Sequence, residues 1–398
     1  MTGFEHWGGC EGSGERGFNT PPALECLVSD GSSWVQPIEN TIPALTHGIN
    51  FLDGVELDLR LSSDGELMLY HDDLMEGSES KRDRCLELLD SSEISSRGIT
   101  RFEELIATSE FSEPWVSGSK TVNIELKVPH PVAQIKDHAT HLISMMNTLD
   151  EALSDLDLPS RSTLVYGFSP KIGLAAKRSE LTLPSTQLSP HLRSWGKTKL
   201  KRFIGSPNFV SNSVARLIRD RRKKGMPVIG MALHYIHGWE RLVHLGMPVS
   251  LTGKGLQRLF SISKEMGVHV WPAPLSIEEL MLDAGLTLVT DHVDPTIHTL
   301  PTGKARWPRP ASQPIDAEWL AKLNSASGAE RIDVQLEAAD SLPMWHELPD
   351  SARAADIISD AKRFSWSGSP ESYAHDLEDG RPWGCARIIG HRGSGETH

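Results

Sequence analysis

The chain has few cysteines and no long apolar run. Four cysteines among 398 residues are too few and too scattered for a disulfide framework or a CxxC zinc site: Cys10, Cys26, Cys85 and Cys385. No apolar run approaches the length of about eighteen residues that a transmembrane helix needs. Residues 1–6 show neither the basic nor the apolar region of a secretory signal. These absences predict a cytoplasmic protein without a transmembrane segment.

Positive charge is also scarce, with 40 Lys and Arg against 53 Asp and Glu and a net charge of −13. This balance argues against a nucleic-acid partner, because phosphate backbones need a cationic face. Residues 193–224 reverse the balance locally, with eleven basic residues and one acid, Asp220. A solvated helix face explains this stretch most simply. The alternative is a cationic rim that attracts an anionic substrate or makes weak contact with a lipid surface.

Short apolar strands alternate with helical patterns over most of the chain. The predicted strands cover 55–59, 67–70, 121–127, 163–167, 227–233, 268–271 and 286–290. This alternation predicts a parallel sheet covered by helices, and the length favours a TIM (β/α)8 barrel. A doubly wound sheet is the alternative, although no GxGxxG follows a strand.

The pattern divides the chain into four parts. Residues 1–37 are predicted to be irregular, and 38–300 to form the barrel with its strands 2–8. Residues 301–384 are an appended segment or small subdomain with one clear helix at 317–323. Residues 385–398 begin with an apolar strand that leads into His391 and Arg392.

Acidic residues near the carboxyl ends of two predicted strands suggest a metal site. Glu56 and Asp58 lie two residues apart, so both side chains point to the same face of the strand. Glu125 and Lys127 share a face of the next long strand in the same way. Three carboxylates that converge at one barrel mouth form a site for a hard cation, Mg²⁺ or Ca²⁺. His71 lies at a further strand end, and Ile389-Gly390-His391-Arg392 adds a base and a guanidinium.

Several short motifs together resemble the glycerophosphodiester phosphodiesterase family, a group of phospholipase C-like TIM barrels. They cover roughly residues 38–295 and 387–393: Glu39-Asn40-Thr41, Glu56-Leu57-Asp58, Asp64-Gly65, His71-Asp72, Glu125-Leu126-Lys127, Gly167-Phe168-Ser169-Pro170, Val270-Trp271, Val289-Thr290-Asp291 and Ile389-Gly390-His391-Arg392-Gly393. The resemblance implies hydrolysis of a small glycerophosphodiester to glycerol 3-phosphate and an alcohol, with one divalent cation and two histidines.

The resemblance also assigns roles to individual residues. Glu56, Asp58 and Glu125 would be the metal ligands, and His391 and His71 the acid and base in an order that stays open. Arg392 and Lys127 would hold the phosphate, and Trp271 would line the pocket. Glu39 would either contact the bound ligand or fix the loop before the first helix.

The order of the motifs departs from the family. There, His-Arg-Gly precedes Glu-Asn-Thr, whereas here Glu39 comes early and His391 comes late. This order is that of a circular permutation, in which strand 1 is supplied by residues 387–391 between strands 55–59 and 286–290. The recurrence of Gly393-Ser394-Gly395-Glu396 at residues 12–15 is compatible with it. His6 is a weaker substitute for His391, because no apolar strand precedes it and no arginine follows it.

Two other functions remain open from the sequence. A phospholipase D-like or sphingomyelinase D-like enzyme would cleave lipid head groups, and only the basic stretch 193–224 supports it. A catalytically inactive barrel would act as a binding module, and would be expected if residues 387–391 did not join the barrel. The sequence gives no indication of the oligomeric state.

Overall fold

The computed structural model describes residues 35–118, 120–179, 181–189, 207, 209–293, 316–326 and 328–397. Their strands are β1 (Gly54–Leu61), β2 (Leu67–Leu69), β3 (Thr121–Leu126), β4 (Thr163–Gly167), β5 (Ser185–Ser189), β6 (Val228–Ala232), β7 (Gly267–Trp271), β8 (Thr287–Thr290) and β9 (Arg387–Gly390). Their α-helices are α1 (Ile42–Phe51), α2 (Ser91–Ser96), α3 (Phe102–Ile106), α4 (Ser109–Val116), α5 (His138–Leu153), α6 (Ile172–Arg178), α7 (Val214–Lys223), α8 (Gly253–Ser263), α9 (Glu278–Asp283), α10 (Ala317–Ser325), α11 (Gly328–Ser341) and α12 (Asp350–Arg363).

Eight parallel strands close into a barrel in the order β1-β3-β4-β5-β6-β7-β8-β9, and β9 pairs back with β1. The closing strand is held on both sides: Ile389 pairs with Gly54 of β1, and Ile388 pairs with Leu288 of β8. The prediction of a TIM barrel is therefore confirmed. The predicted position of strand 387–391, between strands 55–59 and 286–290, is confirmed as well.

Two strands differ from the prediction. Strand β2 runs antiparallel to β1, with Leu69 opposite Leu59, and so extends the sheet outside the closed barrel. Strand β5 takes a place in the barrel that the sequence did not predict. Its Ser-Thr-Gln-Leu-Ser sequence lacks an apolar signal, yet Thr186 is fully buried and its hydroxyl donates a 2.6 Å hydrogen bond to the carbonyl of Val228. The barrel neighbours, rather than local hydrophobicity, define this strand.

Alternation along β1 separates the packing face from the functional face. Val55, Leu57 and Leu59 are fully buried in a cluster that includes Leu45 and Ile49 of α1. Since successive side chains of a strand point to opposite faces, the intervening Glu56 and Asp58 point into the barrel. The outer cluster thereby fixes the height at which the two carboxylates stand.

Residues 316–384 contain three α-helices, whereas the sequence predicted only one. Helices α10 and α11 share a small cluster around Leu323 and Ala338. Further along, Trp345, Ile357 and Phe364 pack in the same core as strands β6–β8. The α12 segment is therefore part of the barrel's packing.

Among the described residues, no helix is long and apolar enough to cross a membrane. Cys85 and Cys385 are buried free thiols, and the other two cysteines lie outside the described residues. His6 and residues 12–15 also lie outside them.

Candidate active site

Three buried carboxylates meet at the carboxyl-terminal mouth of the barrel. Glu56, Asp58 and Glu125 each offer an oxygen within 4.8 Å of the others. They come together because β1 and β3 are parallel neighbours, with Asp58 opposite Glu125 in the register. Buried carboxylates at this spacing repel one another and are the oxygen donors that a hard divalent cation prefers. The donor set therefore fits Mg²⁺ or Ca²⁺.

The Lys127 ammonium lies beside two of these carboxylates, 2.8 Å from Asp58 Oδ1 and 2.9 Å from Glu125 Oε1. Burial acts to lower the pKa of Lys127, but the charges of Asp58 and Glu125 outweigh it and raise that pKa. Lys127 therefore stays charged at the edge of the acidic cluster.

The three carboxyl groups differ in their acidity. Burial first, and then the charge of Asp58, raises the pKa of Glu56 to about 8. Burial also raises the pKa of Glu125 against the opposing effect of Lys127. For Asp58, burial is outweighed by the nearby positive charges, chiefly that of Lys127, and its pKa is lowered. A cation in the cluster would relieve the repulsion that Glu56 experiences.

His391 follows β9 and lies above the acidic cluster. Its Nδ1 is 2.7 Å from Asp291 Oδ1, and its Nε2 is 3.9 Å from Glu56 Oε2. Burial acts to lower the pKa of His391, but the Asp291 charge outweighs it, and the pKa rises to about 9. The Trp271 ring, at the end of β7, lies 5.8 Å from the imidazole. Asp291 thus orients the ring so that Nε2 faces the site.

Arg392 binds the carboxylates through both its backbone and its side chain. Its backbone N–H donates a 3.0 Å hydrogen bond to Glu56, and its guanidinium lies 2.7 Å from Glu39 and 3.5 Å from Asp58. Asn40 completes this arrangement: its amide donates to Asp58 Oδ2 at 2.9 Å, and its Oδ1 accepts from the Asp58 backbone at 3.0 Å. Glu39 therefore holds Arg392 in place and is not a member of the acidic cluster.

The glycine after Arg392 is required by close packing. Gly393 has a φ of 89°, and a Cβ there would lie 2.5 Å from the backbone of Ala44. Only glycine lets the loop after β9 turn against the start of α1. The His-Arg-Gly sequence is thus explained residue by residue.

Residues 36–40 and 391–397 are joined by hydrogen bonds although they are far apart in sequence. The Gln36 side chain donates to the carbonyl of Ser394 at 2.8 Å, and Ser394 Oγ donates to the carbonyl of Pro37 at 2.9 Å. The backbone N–H of Thr397 donates to Glu39 at 2.6 Å. Together these two segments connect β9 to α1 in space.

His71 reaches the same mouth from the connection after β2. Its Nδ1 is 2.7 Å from Asp72, and its side chain is 31% exposed. Burial, followed by the charge of Lys127, lowers the pKa of His71 to about 4, and Asp58 opposes that shift. These electrostatic interactions place His71 near the acidic cluster, on a more open side than His391.

The structure thus brings the predicted site residues to one mouth, and it adds others that the sequence did not assign. Asp291 binds His391, Asn40 binds Asp58, and the Tyr166 side chain lies near Glu56. All three stand at or next to strand ends of the barrel or at the start of α1. Asp291 and Asn40 were visible in the family motifs, whereas Tyr166 offered no signal beyond its position near the end of β4.

The basic stretch is only partly described, because residues 190–206 lie outside the described residues. The described part is α7 with Lys224, in which Arg221 is buried and pairs with Asp220 at 2.5 Å. Helix α7 ends where β6 begins, at the barrel face opposite the mouth. The basic residues at its C-terminal end, 221–224, therefore do not form a rim around the site, and the basic residues at 193–202 lie outside the described residues.

An acidic cluster beside a carboxylate-paired histidine, at the mouth of a closed parallel barrel, suits the hydrolysis of a phosphodiester. The sequence profile of the glycerophosphoryl diester phosphodiesterase family matches residues 30–230, just over half of the chain. The chain belongs to this family. The predicted phosphoric diester hydrolase is thereby confirmed.

Solved structures give further similarities. The glycerophosphodiester phosphodiesterase of Thermotoga maritima has 16% identity and a TM-score of 0.41, over 65% of this chain and 90% of that one. A phosphodiesterase of Oleispira antarctica, in complex with the product sn-glycerol-3-phosphate, has 16% identity and a TM-score of 0.42, over 66% and 90%. A putative glycerophosphodiester phosphodiesterase of Galdieria sulphuraria has 15% identity and a TM-score of 0.40, over 60% and 80%. A comparison with curated proteins gives no significant match.

Proposed function

We propose that the protein hydrolyses glycerophosphodiesters to glycerol 3-phosphate and an alcohol in a reaction that depends on one divalent cation. The observation that carries this proposal is the acidic cluster of Glu56, Asp58 and Glu125, within 4.8 Å, beside His391 and its partner Asp291. Family membership supports the reaction class.

Glu56, Asp58 and Glu125 would hold the cation. When bound, Mg²⁺ or Ca²⁺ supplies charge stabilisation at the phosphoryl oxygens. Lys127 and Arg392 add positive charge beside the same position. Trp271 forms an apolar wall next to His391, suited to the carbon atoms of the glycerol or of the leaving alcohol.

Two histidines near the acidic cluster suit general acid–base catalysis. Asp291 accepts the Nδ1–H of His391, which leaves Nε2 to exchange a proton with the substrate. His71 would exchange the second proton. One of them takes the proton of the nucleophile, which is water or the substrate's own neighbouring hydroxyl, and the other protonates the leaving alkoxide.

We also infer that the chain is a circularly permuted member of the family. Strand β9, which carries His391 and Arg392, lies outside the matched range 30–230 and closes the barrel next to β1. The hydrogen bonds between residues 36–40 and 391–397 replace a covalent connection from β9 to α1.

Turnover of glycerophosphocholine by the full-length protein tests the proposed activity. We expect release of glycerol 3-phosphate with Mg²⁺ or Ca²⁺, reversible loss with excess chelator, and no turnover by Glu56→Gln. Turnover that is unchanged by chelator would refute the metal dependence. No turnover of glycerophosphocholine or of a panel of other glycerophosphodiesters, with either cation, would favour the binding-module alternative.

A further inference from the structure

Exposed apolar side chains are concentrated on the catalytic face of the barrel. The connection after β6 exposes 68% of Trp239, 61% of Leu242, 65% of Leu245 and 70% of Met247. Val128 and Phe168, which follow β3 and β4 directly, are exposed on the same face. Apolar side chains that cluster at one face, rather than scattering singly, mark an interaction surface.

The β6 loop, residues 239–247, is anchored to the barrel by one buried side chain and one backbone hydrogen bond. The His244 ring is buried between Phe209 and Tyr235, with ring centroids 4.2 and 4.7 Å away, and its Nδ1 lies 2.8 Å from the carbonyl of Phe209. The backbone N–H of Leu245 donates to the carbonyl of Val210 at 2.8 Å. Because this anchor fixes the backbone, the flanking apolar side chains project outward and cannot all fold back onto the barrel.

Cationic residues lie in the segments that flank the loop in sequence. Residues 209–216 and 232–258 carry four basic residues and one acid, whereas the whole chain has more acids than bases. The bases are Arg216, Arg241, Lys254 and Arg258, and the acid is Glu240. Arg216 and Lys254 lie at the starts of α7 and α8, and Arg241 lies within the loop. Each of these positions is on the mouth side, since both helices begin there.

An outward tryptophan, three aliphatic side chains and a set of flanking cations match the chemistry of an anionic lipid surface. Such side chains enter the headgroup–acyl boundary, and the cations meet the negative headgroups. We propose that the β6 loop docks the catalytic mouth onto an anionic lipid surface. This inference rests on the proposed function: the physiological substrate would be a glycerophosphodiester presented at that surface rather than one free in solution.

Vesicle binding tests the docking independently of turnover. Full-length protein is sedimented with phosphatidylcholine vesicles, with and without phosphatidylserine. The test variant replaces Trp239, Leu242 and Met247 with serine, and the matched control is Leu174→Ser with Leu336→Ser, which removes exposed apolar side chains from α6 and α11 instead.

We expect binding to the phosphatidylserine vesicles, at least tenfold weaker binding by the triple variant, and unchanged binding by the control. A second variant, Arg241→Gln with Lys254→Gln, should weaken binding to these vesicles and leave the weak binding to neutral vesicles unchanged. Soluble glycerophosphocholine turnover should be the same in all variants, so a failure of the proposed activity is seen separately in that assay.

Three results would overturn the docking proposal. They are absence of wild-type binding to either vesicle, equal binding by the triple variant, and a wild-type dimer in light scattering that the triple variant loses. The last result would show that a second copy of the chain covers the loop.

Discussion

The Asp291 carboxylate at the end of β8 lies 2.7 Å from Nδ1 of His391, and it also accepts a 3.0 Å hydrogen bond from the backbone N–H of Glu396. One carboxylate therefore fixes both the imidazole and the loop after it. This pairing determines which nitrogen of His391 faces the substrate.

Asp291→Asn should lower kcat on glycerophosphocholine by about 10²-fold or more, because the amide no longer favours the Nδ1–H tautomer. KM should change less, since Asp291 does not face the substrate. Steady-state kinetics measures both values, and circular dichroism checks the fold. A kcat near wild type would show that Asp291 does not position His391.

His71→Ala and His391→Ala should each reduce kcat by about 10²–10⁴-fold, the range for a general acid or base. The fold-reduction in kcat of the double variant should be much smaller than the product of the two single reductions, because both groups serve one reaction. The exposed His138→Ala on α5 is the matched control. Losses that multiply in the double variant would show that the two histidines act in separate steps.

Glu56→Gln and Asp58→Asn should abolish binding of the divalent cation, measured by calorimetry, and activity with it. Thermal unfolding of cation-free Glu56→Gln should occur at the wild-type temperature or above, because the change removes repulsion within the acidic cluster. Asp58→Asn should unfold at a lower temperature than wild type, because it loses the ion pairs of Asp58 with Lys127 and Arg392. The exposed Glu103→Gln serves as control. Calorimetric titrations that match wild type would exclude these carboxylates as ligands.

A permuted chain tests the noncovalent connection between β9 and α1. Residue 398 is joined directly to residue 1, and the new ends are placed between residues 315 and 316. The product should fold and keep its turnover, because hydrogen bonds already hold residues 36–40 against 391–397. An unfolded product would contradict the interpretation that the family order is equivalent to this one.

Acid should destabilise the protein partly through His269, which lies inside the barrel 3.3 Å from the Asn123 amide. Burial, followed by the charge of Arg387, lowers the pKa of His269 from 6.5 to about 3. Between pH 6.5 and about 3, His269 therefore binds a proton in the unfolded chain but stays neutral in the folded protein. The free energy of unfolding should fall by about 1.4 kcal/mol per pH unit from this group as pH drops from 6.5 towards 3.

Urea unfolding at several pH values measures that slope. His269→Gln should flatten it by this amount, whatever its effect on stability at neutral pH. An unchanged slope in His269→Gln would mean that His269 is protonated in the folded protein.

The barrel and most of its site could be predicted from the sequence because their signals are local. Apolar strands that carry or lead into Glu56, Asp58, Glu125 and His391 predict both the sheet and the edge at which the site lies. The features that the sequence did not predict depend on contacts between distant segments. Strand β5 is polar and is defined by its neighbours, and β2 has an apolar pattern that does not specify whether it joins the barrel.

The same distinction explains the site. The partnership of Asp291 with His391 and the ion pair of Lys127 with Asp58 depend on side-chain directions across different strands. Spacing within one strand cannot reveal them. Likewise, the outward orientation of the β6 loop follows from the burial of His244 against Phe209, a contact that no sequence pattern indicates.

Strand β9 has a consequence for how the protein folds. The Ile388 backbone N–H bonds the Asp53 side chain, and the Arg392 backbone N–H bonds Glu56, across sequence separations of 335 and 336 residues. Contacts of such long range form slowly, because the entropy cost of closing the long loop comes before the favourable energy of the contacts. Until they form, β1 and β8 are open strand edges able to pair with other chains. Activity should therefore return during refolding only when the barrel closes. A high protein concentration at that step should favour aggregation over formation of the active enzyme.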